Sequence, residues 1–196
     1  MKMRKQILLI GLILGLVILV ANCARKSEQV LNQEVQKALE EKNYKEAVNI
    51  YSQLIRSYPK SPDAPKAYFN LGMVYFGNLN DQKKAEQVWE RLVRKYPGFD
   101  LEREFFAYAQ ETQDQKDPQL AIKVYEEILK YFPASPNRNK ASFLVGFVYS
   151  EQLKDYPKAK EAFEKFIKEY PQSDLKDDAE FMLKNLGKEP ELEKSK

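Results

Sequence analysis

The stretch "DQKKAEQVWERLVRKYP" (Asp81–Pro97) decides the fold, because it returns later as "DYPKAKEAFEKFIKEYP" (Asp155–Pro171). Two weaker copies accompany these, so that Ala47, Ala85, Ala121 and Ala159 stand 38, 36 and 38 residues apart. Twelve residues after each alanine comes a proline: Pro59, Pro97, Pro133 and Pro171. An aromatic precedes each proline (Tyr58, Tyr96, Phe132, Tyr170), and another follows each alanine by four residues (Tyr51, Trp89, Tyr125, Phe163). At seven and eight residues beyond the alanine stand Leu54/Ile55, Leu92/Val93, Ile128/Leu129 and Phe166/Ile167. A fixed period of this length is the signature of a repeat architecture.

Offsets of 0, 4, 7 and 8 share one face of an α-helix, so each copy predicts a helix, B, that buries that stripe. Asn43, Asp81, Asp117 and Asp155 stand four residues before the alanines as N-caps. Glu46, three residues after Asn43, predicts a capping box. Pro118 suits a first helical position, and the proline at twelve ends each helix. A partner helix, A, precedes each B helix. "PKSPDAPKAYFNLGMVYFGN" and "PASPNRNKASFLVGFVYSEQ" align, with Ser61 and Ser135 as expected N-caps and Leu71 and Val145 as expected core. Gly72 and Gly146 stand 13 residues before their alanines, and Tyr75 and Tyr149 stand 10 before. A mid-helix glycine costs about 1 kcal/mol against alanine, so its repetition predicts a close approach of two backbones.

The order aromatic, Leu, Gly, Tyr, Ala, aromatic, Pro on paired helices resembles the tetratricopeptide repeat (TPR). The B half matches in all four copies; the A half matches in the second and fourth. At the Gly and Tyr positions the first copy has Glu34 and Lys37 and the third has Tyr108 and Glu111, which predicts a weakly packed third A helix. The resemblance covers about residues 28–187. It implies an all-α, right-handed helical solenoid of about four and a half repeats of antiparallel helix pairs. A closing helix is expected over Asp174–Leu186, starting at Ser173, and residues 188–196 carry too little apolar surface to order.

Outward from the repeats, the N-terminus reads as an address. Lys2, Arg4 and Lys5 precede a 15-residue apolar run, Ile7–Ala21, shorter than the roughly 20 residues of a spanning helix. The chain's one cysteine, Cys23, follows at once. "Val-Ala-Asn-Cys" resembles the bacterial lipobox, with Asn22 where Gly, Ala or Ser is usual. The resemblance implies a signal peptide over residues 1–22, a diacylglyceryl and palmitate-bearing Cys23, and a short linker over 23–27. An uncleaved inner-membrane signal anchor is the alternative. Ala24 resembles the pattern for outer-membrane delivery, with the domain facing the periplasm. The three leading cations carry the whole excess of 32 basic over 29 acidic side chains. Without them the chain is formally neutral, which removes the electrostatic basis for nucleic-acid binding.

"YPKS", "FPAS" and "YPQS" between units, with "YPGF" departing, resemble TPR lipoproteins and periplasmic proteins of the bacterial envelope. Two groups stand nearest. BamD-type lipoproteins help assemble outer-membrane β-barrels, and CpoB/YbgF-type proteins bind TolA and coordinate cell-wall work with division. The short segment before the first repeat favours the BamD type. An accessory subunit of an envelope enzyme is a third reading. All three imply envelope-protein partners and a scaffold without catalysis.

The chain has no histidine, one cysteine and no Gly-rich phosphate loop, so no metal or cofactor is expected. The acids of "ERE" (102–104) and "KDD" (176–178) fall at expected helix starts, where they favour the macrodipole. One pattern goes further. Leu31, Phe69, Phe105 and Phe143 stand 16 residues before the alanines, and Phe181 continues the series. Met73 and Phe147 lie one turn beyond their phenylalanines. Two readings stand for this column: packing between repeats, or an aromatic peptide groove formed by Phe69, Met73, Phe105, Phe143, Phe147 and Phe181.

Overall fold

The structure, a computed structural model, describes residues 26–114 and 117–188. The expected signal peptide, Cys23 and the segment 189–196 lie outside the described residues. Among the described residues the chain is all-α, without strands. It divides between Phe99 and Asp100 into two compact units, the first of two helix pairs and the second of two pairs and a closing helix.

The first unit holds α1 (Glu28–Glu40), α2 (Tyr44–Ser57), α3 (Ala64–Met73) and α4 (Gln82–Lys95). The second holds α5 (Leu101–Asp114), α6 (Pro118–Tyr131), α7 (Arg138–Phe147), α8 (Tyr156–Glu169) and α9 (Lys176–Asn185). Within each unit every helix packs on its chain neighbours, the arrangement that short connections impose.

The B helices α2, α4, α6 and α8 begin as read. Asn43, Asp81, Asp117 and Asp155 each accept the N–H three residues on, at 3.1–3.3 Å. The capping box at Asn43 is not made. Its N–H bonds Ala38 O at 2.7 Å, and the Glu46 carboxylate takes Asn49 Nδ2 at 3.3 Å. The first bond closes a Schellman turn with Lys42 left-handed at φ 55°. Asn80 (φ 53°) and Lys154 (φ 51°) hold the same place before Asp81 and Asp155. Each B helix ends on its aromatic, which leaves the helical region at φ −121° to −131°, as the following proline demands.

The A helices differ more. Ser61, Ser135 and Ser173 do not cap helices. Their hydroxyls accept the N–H two residues on, at 3.0–3.2 Å, and this turn delays α3, α7 and α9 to residues 64, 138 and 176. α3 and α7 each run into a π-helical turn, Val74–Asn78 and Val148–Gln152, which periodicity does not foretell. α5 is well packed, against expectation. Leu101, Phe105, Ala109 and Thr112 are buried on one face, and Thr112 Oγ1 bonds back to Tyr108 O and Ala109 O at 3.0 and 2.9 Å.

In the cores, the four repeat alanines have no accessible surface, and Tyr51, Trp89, Tyr125 and Phe163 are buried beside them. At the seven-residue offset all four side chains are buried; at eight, Val93 is 42% exposed. Gly72 and Gly146 admit rings rather than a neighbouring backbone. A Cβ on Gly146 would lie 2.8 Å from Phe163 Cε1, and one on Gly72 would strike the Trp89 indole. Leu71 is buried and Val145 half-buried.

Candidate functional site

The phenylalanine column is mostly core. Phe69 and Phe105 have no accessible surface and Met73 has 1%. In the first unit, the Lys66 ammonium stands 5.0 Å above the Phe69 ring. In the second, Phe105 stacks on Tyr131 at 6.1 Å and meets Phe132 edge-on at 6.3 Å. Phe143 and Phe147 are half-buried; Phe143 lies 5.6 and 5.8 Å from Phe163 and Phe166 of α8. Phe181 alone is open, at 66%. A groove through Phe69, Met73 and Phe105 is therefore corrected to packing. Positions 16 and 12 before the alanine, with position 9, form the i, i+4, i+7 stripe by which an A helix buries itself. Leu31, Val35 and Ala38 of α1 are buried on the same stripe.

The accessible surface that singles itself out is polar. Along α1, Gln29, Asn32, Gln33 and Gln36 line an open depression of about 770 Å³ together with Glu28, Lys37, Glu40 and Asp63. Their spacing puts them on one face, and their carboxamides make no hydrogen bond to other described residues. Each carboxamide offers two donors and an acceptor, the complement of a peptide group. Sequence reasoning missed this face. The signal was present as a run of uncharged amides turned away from the buried Leu31–Val35–Ala38 stripe, on a chain whose other helices face water with Lys and Glu.

Charge is placed at the corners between A and B helices. Lys84 reaches Asp81 at 2.6 Å and lies 5.4 Å from the Tyr75 ring centre; Lys158 repeats this with Asp155 at 2.9 Å and Tyr149 at 5.5 Å. The hydrogen bond from the lysine side chain, then that from its backbone N–H, holds each aspartate below its ordinary pKa. Burial pushes the Tyr125 hydroxyl up to about 12, helped by Asp114. Partial desolvation also raises Glu126, which lines a cleft with Tyr149 and Lys158, against the pull of Lys165 and Lys123. The Asp81–Lys84 and Asp155–Lys158 pairs stabilise their corners. Among the described residues no cluster of His, Cys, Asp or Glu is arranged to hold a metal, and no helix is long and apolar enough to cross a membrane.

Comparison with known proteins agrees with this geometry. Residues 100–189 match the YfiO family model, described as outer membrane lipoprotein, and residues 32–98 match a tetratricopeptide repeat model. The first unit is thus similar to tetratricopeptide repeats and the second to BamD-type outer membrane lipoproteins. Among curated proteins no sequence matches it. Similar solved structures include MamA from Desulfovibrio magneticus RS-1, at 18% identity over 83% of this chain and 94% of that one, TM-score 0.40. A putative kinesin light chain with TPR-like repeats from Podospora anserina is 13% identical over 79% and 82%, TM-score 0.40.

Proposed function

We propose that this tetratricopeptide-repeat protein is a lipid-anchored scaffold of the bacterial envelope, held by Cys23 to the outer membrane and facing the periplasm. Its task is to bind other proteins during outer-membrane protein assembly. The match of residues 100–189 to an outer membrane lipoprotein family carries the reading. The amide face of α1 supplies a binding surface: Asn32, Gln33 and Gln36 are spaced to hydrogen-bond the backbone of an extended segment whatever its side chains. Work of this kind needs contacts and no chemistry, in keeping with the two matched families.

Crosslinking in native membranes followed by affinity capture tests the role. Recovery of a β-barrel assembly protein is the expected result. Recovery of a TolA-like or peptidoglycan-synthesis partner alone would replace this role with adaptor work of the CpoB/YbgF kind. Intact mass tests the anchor: the mature chain should begin at an acylated Cys23, and an unmodified thiol with a retained signal would overturn it.

A further inference from the structure

We propose that the loop edge of the first unit lies flat against the membrane that anchors Cys23, and that it meets anionic phospholipid headgroups there. The inference rests on the lipidation proposed above. Its own basis is the fastening of Lys26. The Lys26 carbonyl accepts the Tyr58 hydroxyl at 2.7 Å, and its ammonium bonds both Glu34 carboxylate oxygens at 2.6 and 2.8 Å. Ser27 Oγ then accepts Val30 N–H at 3.2 Å and starts α1. Lys26 is therefore fixed to the first unit. Three residue steps separate it from Cys23, a reach of about 11 Å at full extension. The polar layer of a leaflet is on the order of 5–8 Å deep, so a tether this short leaves the Lys26 end at the headgroups.

A row of structure shares that end. The loop after α2 is joined to Lys26 through Tyr58, and the loop after α4 is joined to it in turn, because Tyr96 donates to Pro59 O at 2.8 Å. The edge carries exposed Arg56, Lys60, Arg94 and Lys95 against Glu28 and Asp63. Arg56, Lys60 and Arg94 make no ion pair with another described residue. At the far edge Lys84 pairs with Asp81 at 2.6 Å and Lys37 with Glu41 at 3.8 Å, and the exposed Lys42, Lys45 and Lys83 share that edge with the acids Glu40, Glu41, Glu46 and Asp81. Attraction between cations and an anionic leaflet acts within about a Debye length, roughly 8–10 Å, which is the reach of the tether. The fixed position of Lys26 sets which edge faces the bilayer, and the free cations hold it there. Because Glu28 and Asp63 stand at this edge, the amide face of α1 opens beside the membrane surface.

Two label positions test the arrangement in the full lipidated chain on vesicles of phosphatidylethanolamine and phosphatidylglycerol. Acylation consumes the Cys23 thiol, so a nitroxide attaches only to a cysteine introduced by Lys60→Cys at the near edge or Lys83→Cys at the far edge. The two edges differ in height by about the length of α2, some 21 Å for its 14 residues. A nickel-chelating headgroup lipid should relax the label at 60 at least about fivefold more than the label at 83, a gap set by that height. Equal or reversed relaxation in chains that float with the vesicles overturns the orientation and leaves the anchor standing. Chains that fail to float overturn both.

Discussion

The indole of Trp89 occupies the space that a side chain at residue 72 would need. A Cβ on Gly72 would strike Trp89 Nε1, and the same Nε1 donates to Phe69 O at 3.3 Å. The glycine of α3 and the tryptophan of α4 are thus one device: absence of a side chain on one helix seats a ring from the next. Phe163 sits on Gly146 in the same way, without a hydrogen bond of its own to give.

Gly72→Ala should destabilise the chain despite alanine's better helix propensity. Forcing a methyl into a packed site costs about 1–3 kcal/mol, and the rigid indole has little room to yield. Thermal unfolding followed by circular dichroism should show the loss. Gly98→Ala is the control, since nothing lies within 4 Å of its Cβ position. Combined with Trp89→Ala, which alone should cost about 3–5 kcal/mol, Gly72→Ala should add almost nothing. Additive losses would mean the two residues do not share a site.

The phenylalanine column should separate by burial. Phe105→Ser removes a ring with no accessible surface and leaves a hydroxyl in the core, a loss of about 3–5 kcal/mol. Phe181→Ser, at a position 66% exposed, should stay within about 0.5 kcal/mol of the parent. Urea unfolding of the two variants distinguishes core from surface directly. A stable Phe105→Ser chain would restore the groove reading.

Acid should loosen the helix corners. Asp81 and Asp155 have folded pKa values held below the unfolded value of about 3.9 by Lys84 and Lys158. Their contribution is therefore present above the unfolded pKa and is lost as pH falls through the folded one. Asp155→Asn keeps an oxygen to accept the Lys158 N–H but has no charge to lose. The melting temperature of this variant should fall less steeply than the parent's as pH drops below 4. Parallel curves would show that the cap, not its charge, does the stabilising.

Lys154 is left-handed at φ 51°, a conformation that costs a β-carbon about 1–2 kcal/mol. Lys154→Gly relieves that strain, loses about 0.5–1 kcal/mol to backbone entropy, and gives up an exposed ion pair with Glu151. The expected result is a melting temperature equal to or slightly above the parent's. Lys154→Val, with branching at Cβ, should lower it.

The B helices were legible residue by residue because everything that makes them is local. A cap at −4, an apolar stripe at 0, 4 and 7 and a proline at 12 all act within one helix, so Asp81 and Trp89 announce their roles in sequence. The A helices were legible only in part. Ser61 reads as a cap, but its hydroxyl accepts the Asp63 N–H in a turn before the helix begins. The π-helical turns after Met73 and Phe147 left no mark in the periodicity. The column at Phe69, Phe105 and Phe181 is one pattern in the sequence with two fates in the fold. Periodicity assigns a side chain to a face of its helix; what lies across that face is set by residues dozens of positions away. Phe105 is core because Tyr131 and Phe132 lie against it, while Phe181 stays two-thirds exposed on α9.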